Sequence, residues 1–271
     1  MQHFASLDHL LASGIPVDAV AVCTPPQHRY GLAAQALRAG KHVLVEKPPC
    51  ATVTQAEALA ALATEHGVTL YTAWHSRHAA GVKAARAWLS GKALQSVSIV
   101  WKEDVRVWHP GQAWIFAPGG FGVFDPVINA LSIATMVLPR PLVVDAAELA
   151  VPVNCHAPIA GRVALRDTDG VPVEVEMDFL QEGPQTWDIR ITTDAGELLL
   201  SDGGRILTTP EGRFAGEDSE YPLIYAEFSA AIAAGGDAAD FTPLRLVADA
   251  FLCAAFRNAS AFHDPGAIET R

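Results

Sequence analysis

The feature that most constrains this chain is the alternation of short apolar strands with amphipathic helices in its opening stretch. Asp18-Ala-Val-Ala-Val-Cys23 is an apolar run stopped by Thr24-Pro25-Pro26, because two successive prolines cannot continue a hydrogen-bonded ladder. From His28 to Ala39 apolar residues recur at helical spacing, and Gly40 supplies the stop. His42–Val45 is a second strand, closed by Glu46-Lys47-Pro48-Pro49. Thr54 with Glu57 three residues on has the form of a capping box, opening an Ala/Leu-rich helix that Gly67 ends. Val68–Ala73 reads as a third strand. Strands joined by single helices run parallel, in a sheet covered on both faces.

Near Arg77 the pattern changes. A helix (Ala80 to Leu89) leads to a strand, Val97 to Glu103, then to a Trp-, Pro- and Gly-rich loop from Asp104 to Gly122 and a helix from Pro126 to Leu138. Strand signals then follow at short spacing: Leu142–Val151, Gly161–Arg166, Val171–Phe179, Thr186–Thr193, Glu197–Ser201 and Arg205–Thr208. Without helices between them these should pair mainly antiparallel. Helices around Tyr221–Ala234 and Pro243–Asn258 close the chain. The expected fold is α/β plus α+β: an incomplete Rossmann-type parallel sheet at 1–77, then a domain with a large, mainly antiparallel open sheet at 78–271. That open sheet is expected to pair with a second copy, with Leu198–Leu200 as apolar surface.

Charge narrows the partners. Over 271 residues the net charge is −11, with no basic patch for nucleic acid or an anionic membrane. No apolar run approaches the ~20 residues of a bilayer span, and the start has neither the basic nor the apolar region of a signal peptide. Cys23, Cys50, Cys155 and Cys253 are scattered, which suits reduced thiols in the cytoplasm.

Open α/β sheets bind ligands at the carboxyl ends of their strands. Here those ends are Cys23-Thr-Pro-Pro-Gln-His28, Glu46-Lys47-Pro48 and Trp74-His75-Ser76-Arg77. Most lysines are solvated surface groups. Lys47, however, follows an apolar strand and precedes Pro48, which holds its backbone extended at the crest of the sheet, where an amine is placed for proton transfer. Asp125-Pro126 has the form of a helix cap, and a carboxylate there serves equally as cap or proton acceptor. Asn129 lies four residues on, on the same helix face. Trp101, Glu103, Trp108 and His109, with Trp187 later, suit either a surface for sugar C–H groups or a half-buried sheet edge. His75 and His78 have no third ligand nearby in sequence, so a hydrogen-bonding role is favoured over metal binding and no metal is expected. Gly119-Gly-Phe-Gly122 reads as a loop, not a phosphate cradle.

At Asp18-Ala-Val-Ala-Val-Cys-Thr-Pro-Pro-Gln-His28 and Ala39-Gly-Lys-His-Val-Leu-Val-Glu-Lys-Pro48 the chain resembles the Gfo/Idh/MocA family of NAD(P)-dependent oxidoreductases. Ala73-Trp-His-Ser-Arg77, Trp101–Pro110, Phe124-Asp-Pro-Val-Ile-Asn129 and Trp187-Asp188 resemble its aldose 1-dehydrogenase branch, which acts on D-galactose or L-arabinose. The resemblance implies oxidation of an aldopyranose at C1 to the lactone, with NAD or NADP as cofactor. It places the catalytic lysine at Lys47 and the helix-borne pair at Asp125 and Asn129. Sugar contacts fall on Glu103, Trp108, His109, Trp187 and His75. Cofactor contacts fall on Cys23, Thr24, Pro25, Pro26, His28, Glu46, Lys47 and Pro48. Which of Lys47 and Asp125 takes the first proton stays open, as do galactose against arabinose and NAD against NADP. Family members begin with a strand, a G-x-G-x-x-G turn and a helix, which this sequence lacks, so an N-terminal truncation of one βαβ unit is expected. Loss of that cradle raises an alternative, a non-catalytic sugar-binding or regulatory protein.

Overall fold

A computed structural model describes residues 2–217, 219–236 and 238–264. In chain order its elements are α1 (Leu7–Ala12), β1 (Ala19–Val22), α2 (Pro26–Arg38), β2 (His42–Glu46), α3 (Val53–His66), β3 (Leu70–Ala73), α4 (Val82–Leu89), β4 (Leu94–Lys102), α5 (Val105–Trp108) and α6 (Phe124–Val137). There follow β5 (Leu142–Pro152), β6 (Ala160–Asp167), β7 (Pro172–Asp178), β8 (Thr186–Thr193), β9 (Gly196–Ser201), β10 (Ile206–Thr209), β11 (Gly212–Ala215), α7 (Glu220–Ala234), α8 (Thr242–Leu252) and β12 (Ala254–Ala259). The chain divides into two compact units.

The first unit takes the residues up to Trp74 together with Pro222–Phe241. Its sheet is β1-β2-β3, all parallel, as the alternation of strand and helix requires. Val43, Val45 and Leu70 are fully buried on the face where α2 and α3 pack. Leu44, Tyr71 and Ala73 alternate to the other face and meet Ile224 and Phe228 of α7. The Tyr71 hydroxyl donates to Glu227 (2.9 Å), and the Trp74 indole N–H donates to the Asp240 carbonyl (2.8 Å). The sequence reading placed this late helix in the second domain, but its apolar side covers the first sheet. Thr52, rather than Thr54, caps α3, accepting from the Gln55 N–H. The Gly67 stop, at φ 63°, is as read.

The second unit takes His75–Tyr221 together with the residues from Thr242 onward. Its nine strands run in the order β11-β10-β9-β8-β4-β7-β6-β5-β12. Pairing is antiparallel except at β4-β7 and β5-β12. Helix α6 lies on one face against β4 and β8, with α4 and α8 beside it. Two readings need correction. Pro243–Asn258 is not one helix, because α8 ends at Leu252 and Ala254–Ala259 becomes a parallel edge strand on β5. Leu198 and Leu200 are fully buried within their own unit, so they offer no surface to a second copy.

Candidate functional site

The candidate side chains fall into two sets, one in each unit. In the first, Arg29 stands in the opening turn of α2 and is buried. Its Nε donates to the Thr24 carbonyl (2.6 Å), and its Nη1 donates to the carbonyls of Glu46 (2.7 Å) and Pro48. One guanidinium therefore fixes the turns that follow both β1 and β2, in a planar fork suited to fixed acceptors. Lys47 sits in the second of these turns, its backbone N–H on the Glu46 carboxylate (3.1 Å). Cys23, Thr24, Pro25, Pro26 and His28 make the first turn and the start of α2. The sequence reading passed over Arg29, although a lone arginine on the alanine-rich inner face of a helix was a usable signal.

In the second unit Asp125 occupies the second residue of α6 and is buried. It is not the cap, because the helix already begins at Phe124 after Val123. The turn is set by Gly122 N–H on the Ile115 carbonyl (2.9 Å) and Val123 N–H on the Pro158 carbonyl (2.7 Å). Asn129 follows one turn later, and its Oδ1 is buried without a hydrogen-bond partner among the described residues. Arg77 braces the same helix through the Ser132 carbonyl and the Thr135 hydroxyl, both at 3.1 Å.

Glu103, just past β4, is buried at 2% exposure. Its carboxylate accepts from His109 Nε2 (3.0 Å) on one oxygen and from Trp187 Nε1 (2.7 Å) on the other. Trp187 stacks on Trp101 (centroids 5.9 Å apart, 21°) and meets Trp108 at 4.6 Å. The short helix α5 places Trp108 and His109, and Asp104 caps it by accepting from the Arg106 N–H (2.9 Å). The Arg106 guanidinium hydrogen-bonded to Asp104 holds that carboxyl below the usual range. Glu103, expected to contact sugar, has one hydrogen bond on each oxygen, to His109 and Trp187, and each oxygen keeps a further lone pair. His75 has its Nδ1 on the Glu220 carboxylate at 2.5 Å.

For a dinucleotide, the turn after β1 offers a fit. The Thr24 hydroxyl is buried with no hydrogen-bond partner among the described residues, in a turn at a strand's carboxyl end that Arg29 holds rigid. A glycine-rich strand-turn-helix for the pyrophosphate does not occur among the described residues. Gly120 and Gly122 serve packing instead, since an added Cβ would lie 2.2 Å from the Ile115 carbonyl oxygen or 2.1 Å from that of Pro158. Among the described residues no three His, Cys, Asp or Glu side chains group as a metal site. No described helix is long and apolar enough to cross a membrane.

A Rossmann-type parallel sheet with a large mixed-sheet unit after it defines a class of nicotinamide-dependent oxidoreductases, and comparison with known proteins agrees. Residues 1–74 match the Gfo/Idh/MocA family, described as an oxidoreductase family with an NAD-binding Rossmann fold. The chain is 47% identical to galactose 1-dehydrogenase of Pseudomonas fluorescens, over 97% of its own length and 86% of the relative's. It superposes on the crystal structure of D-galactose-1-dehydrogenase from Rhizobium etli with a TM-score of 0.92 at 48% identity, covering 96% of this chain and 84% of that one. The WlbA dehydrogenase from Bordetella pertussis, in complex with NADH and UDP-GlcNAcA, shares the fold at 19% identity (TM-score 0.79, covering 92% and 80%). This chain belongs to the Gfo/Idh/MocA oxidoreductase family.

Proposed function

We propose that this protein oxidises an aldopyranose at its anomeric carbon to the lactone, with D-galactose as the first substrate and L-arabinose as the second. The observation that carries this reading is the 47% identity to galactose 1-dehydrogenase along 97% of the chain. The Glu103–His109–Trp187 group supports it, because a buried polar and aromatic wall suits a ring with hydroxyls on its edges and C–H groups on its faces. The alternative, a sugar-binding protein without catalysis, gains nothing from these relatives.

Bound through Thr24 and the turns that Arg29 fixes, NAD or NADP would supply the acceptor for the hydride that leaves C1. Loss of that hydride requires loss of the C1 hydroxyl proton, so a base must reach that oxygen. We assign proton transfer to the Lys47 amine and the Asp125 carboxylate. Asn129 Oδ1, a buried acceptor with no partner among the described residues, would take a hydroxyl hydrogen of the sugar. The faces of Trp187 and Trp108 would pack on the ring, and His109 would donate or accept at its edge.

The test is turnover with NAD+ and with NADP+ on D-galactose, L-arabinose, D-glucose and myo-inositol, read as reduced nicotinamide and lactone. Activity on galactose above the others supports the reading. Oxidation of the polyol alone, or of none of the four with either cofactor, overturns it.

A further inference from the structure

We infer that Glu220 is a positioning residue for sugar recognition. It fixes the tautomer of His75 so that Nε2 accepts a hydrogen bond from a substrate hydroxyl. The inference rests on the reading above that the ligand is an aldopyranose.

His75 lies two residues past the carboxyl end of β3. Its Nδ1 is 2.5 Å from Glu220 Oε2 and 3.3 Å from the Ser76 hydroxyl. An ionised carboxylate only accepts hydrogen bonds. The Nδ1 facing it must therefore carry the proton, and in the neutral ring Nε2 is left as the acceptor. The plane of the ring is set as well: Tyr221, next to Glu220 on α7, stacks on it with centroids 5.8 Å apart and only 11° between planes. Nε2 makes no hydrogen bond among the described residues, and the side chain keeps 20% of its surface exposed, so that edge is open to a ligand. Ring plane, tautomer and open edge are thus specified by two consecutive residues at the start of α7 and one at the end of a strand. Such a preset acceptor distinguishes a hydroxyl from a hydrogen or methyl at the position it faces, since the analogue would leave it unpaired.

The experiment uses the whole chain with 15N-labelled histidine, at mildly alkaline pH. His75→Gln identifies the His75 signals in the long-range 1H–15N spectrum. In the wild type the proton is expected on Nδ1, and the Nε2 resonance is expected to move as D-galactose is added. Glu220→Gln, whose amide can turn its N–H toward Nδ1, is expected to shift the proton to Nε2. The KM for galactose should then rise about tenfold, the worth of roughly one hydrogen bond, with kcat within about twofold; Glu220→Asp should recover part of the loss. A wild-type ring protonated on Nε2, an Nε2 signal indifferent to galactose, or an unchanged KM in Glu220→Gln overturns the inference. Should the wild type oxidise no sugar, the functional reading fails on turnover, while the tautomer and the galactose response still decide the role of Glu220. Those two wild-type measurements also stand if Glu220→Gln does not fold.

Discussion

Arg29 stands in a helix otherwise rich in alanine, and its three backbone acceptors belong to both strand ends that carry candidate ligand-binding residues. That clamp explains why Lys47, on a turn rather than a helix, has a defined place. If the Lys47 amine moves the C1 proton, Lys47→Ala should lower kcat for galactose by about 10²–10⁴-fold, the usual worth of general acid–base catalysis. Galactose should still bind, measured by calorimetry; unchanged turnover would exclude the role. Glu103 acts differently, since each of its oxygens holds one donor. In Glu103→Gln the amide N–H faces either Trp187 Nε1, a donor then left unpaired in a buried site, or His109 Nε2, which must then give up its proton to the other ring nitrogen. The cost is roughly 1–3 kcal/mol, expected as a fall of about 10–100-fold in galactose kcat/KM. Retained kcat/KM in a folded variant would show that Glu103 orients nothing the substrate uses. The sequence made Glu103, His109 and Trp187 visible as polar and aromatic groups near one loop. It did not show that Glu103 faces its neighbours, because the register of β4 against β8, which sets Trp101 opposite Trp187, is a long-range fact.

At the scale of elements, the approach to α6 depends on Gly122. Its φ of +54° lies in the left-handed region, and a Cβ there would sit 2.1 Å from the Pro158 carbonyl oxygen and 2.8 Å from the Pro158 nitrogen. Backbone cannot give way as a flexible side chain would, so Gly122→Ala should displace the turn that leads into Asp125. Loss of about 1–3 kcal/mol in stability is expected, together with a fall in turnover, measured by urea unfolding and galactose oxidation. Wild-type values for both would show that the loop relaxes freely. Elements were legible where local signals agree: β8 at Thr186–Thr193 matches its reading residue for residue, and the Gly67 stop is in place. They were illegible where distant pairing decides. Phe251-Leu-Cys-Ala-Ala-Phe256 has no breaker, so apolar spacing continues the helix through it. The edge of β5, available only in the folded unit, draws Ala254 onward into a strand. Likewise Leu198–Leu200 is a continuous apolar run, which does not show which side of the sheet is covered. Nor does anything local to α7 say that its Ile224 and Phe228 belong on the first sheet.

Across the whole molecule, the excess of acidic residues makes pH the natural probe of stability. Asp167 is 2% exposed at the β6–β7 turn. Burial works against its charge, but the Val171 N–H, the Arg140 guanidinium and the Asp169 N–H together outweigh it, so the carboxyl is held below its ordinary value of 3.8. Its oxygens accept from Asp169 N and Val171 N at 2.9 Å each and from Arg140 Nε at 2.7 Å. A carboxyl with a depressed folded-state pKa adds stability above its unfolded value and loses it as pH falls through the folded one. Asp167→Asn should therefore unfold more easily at neutral pH, by roughly 1.5–3 kcal/mol for hydrogen bonds to a charged group. The gap between variant and wild type should begin to close below about pH 4, where the unfolded carboxyl takes up its proton, and vanish only once the depressed folded carboxyl is protonated too. Glu176, held low first by its hydrogen bond to Lys102, titrates alike in both proteins and cancels from the comparison. Urea midpoints at neutral and strongly acidic pH measure the effect. A gap that stays constant between them would mean that Asp167 contributes shape to the turn rather than charge.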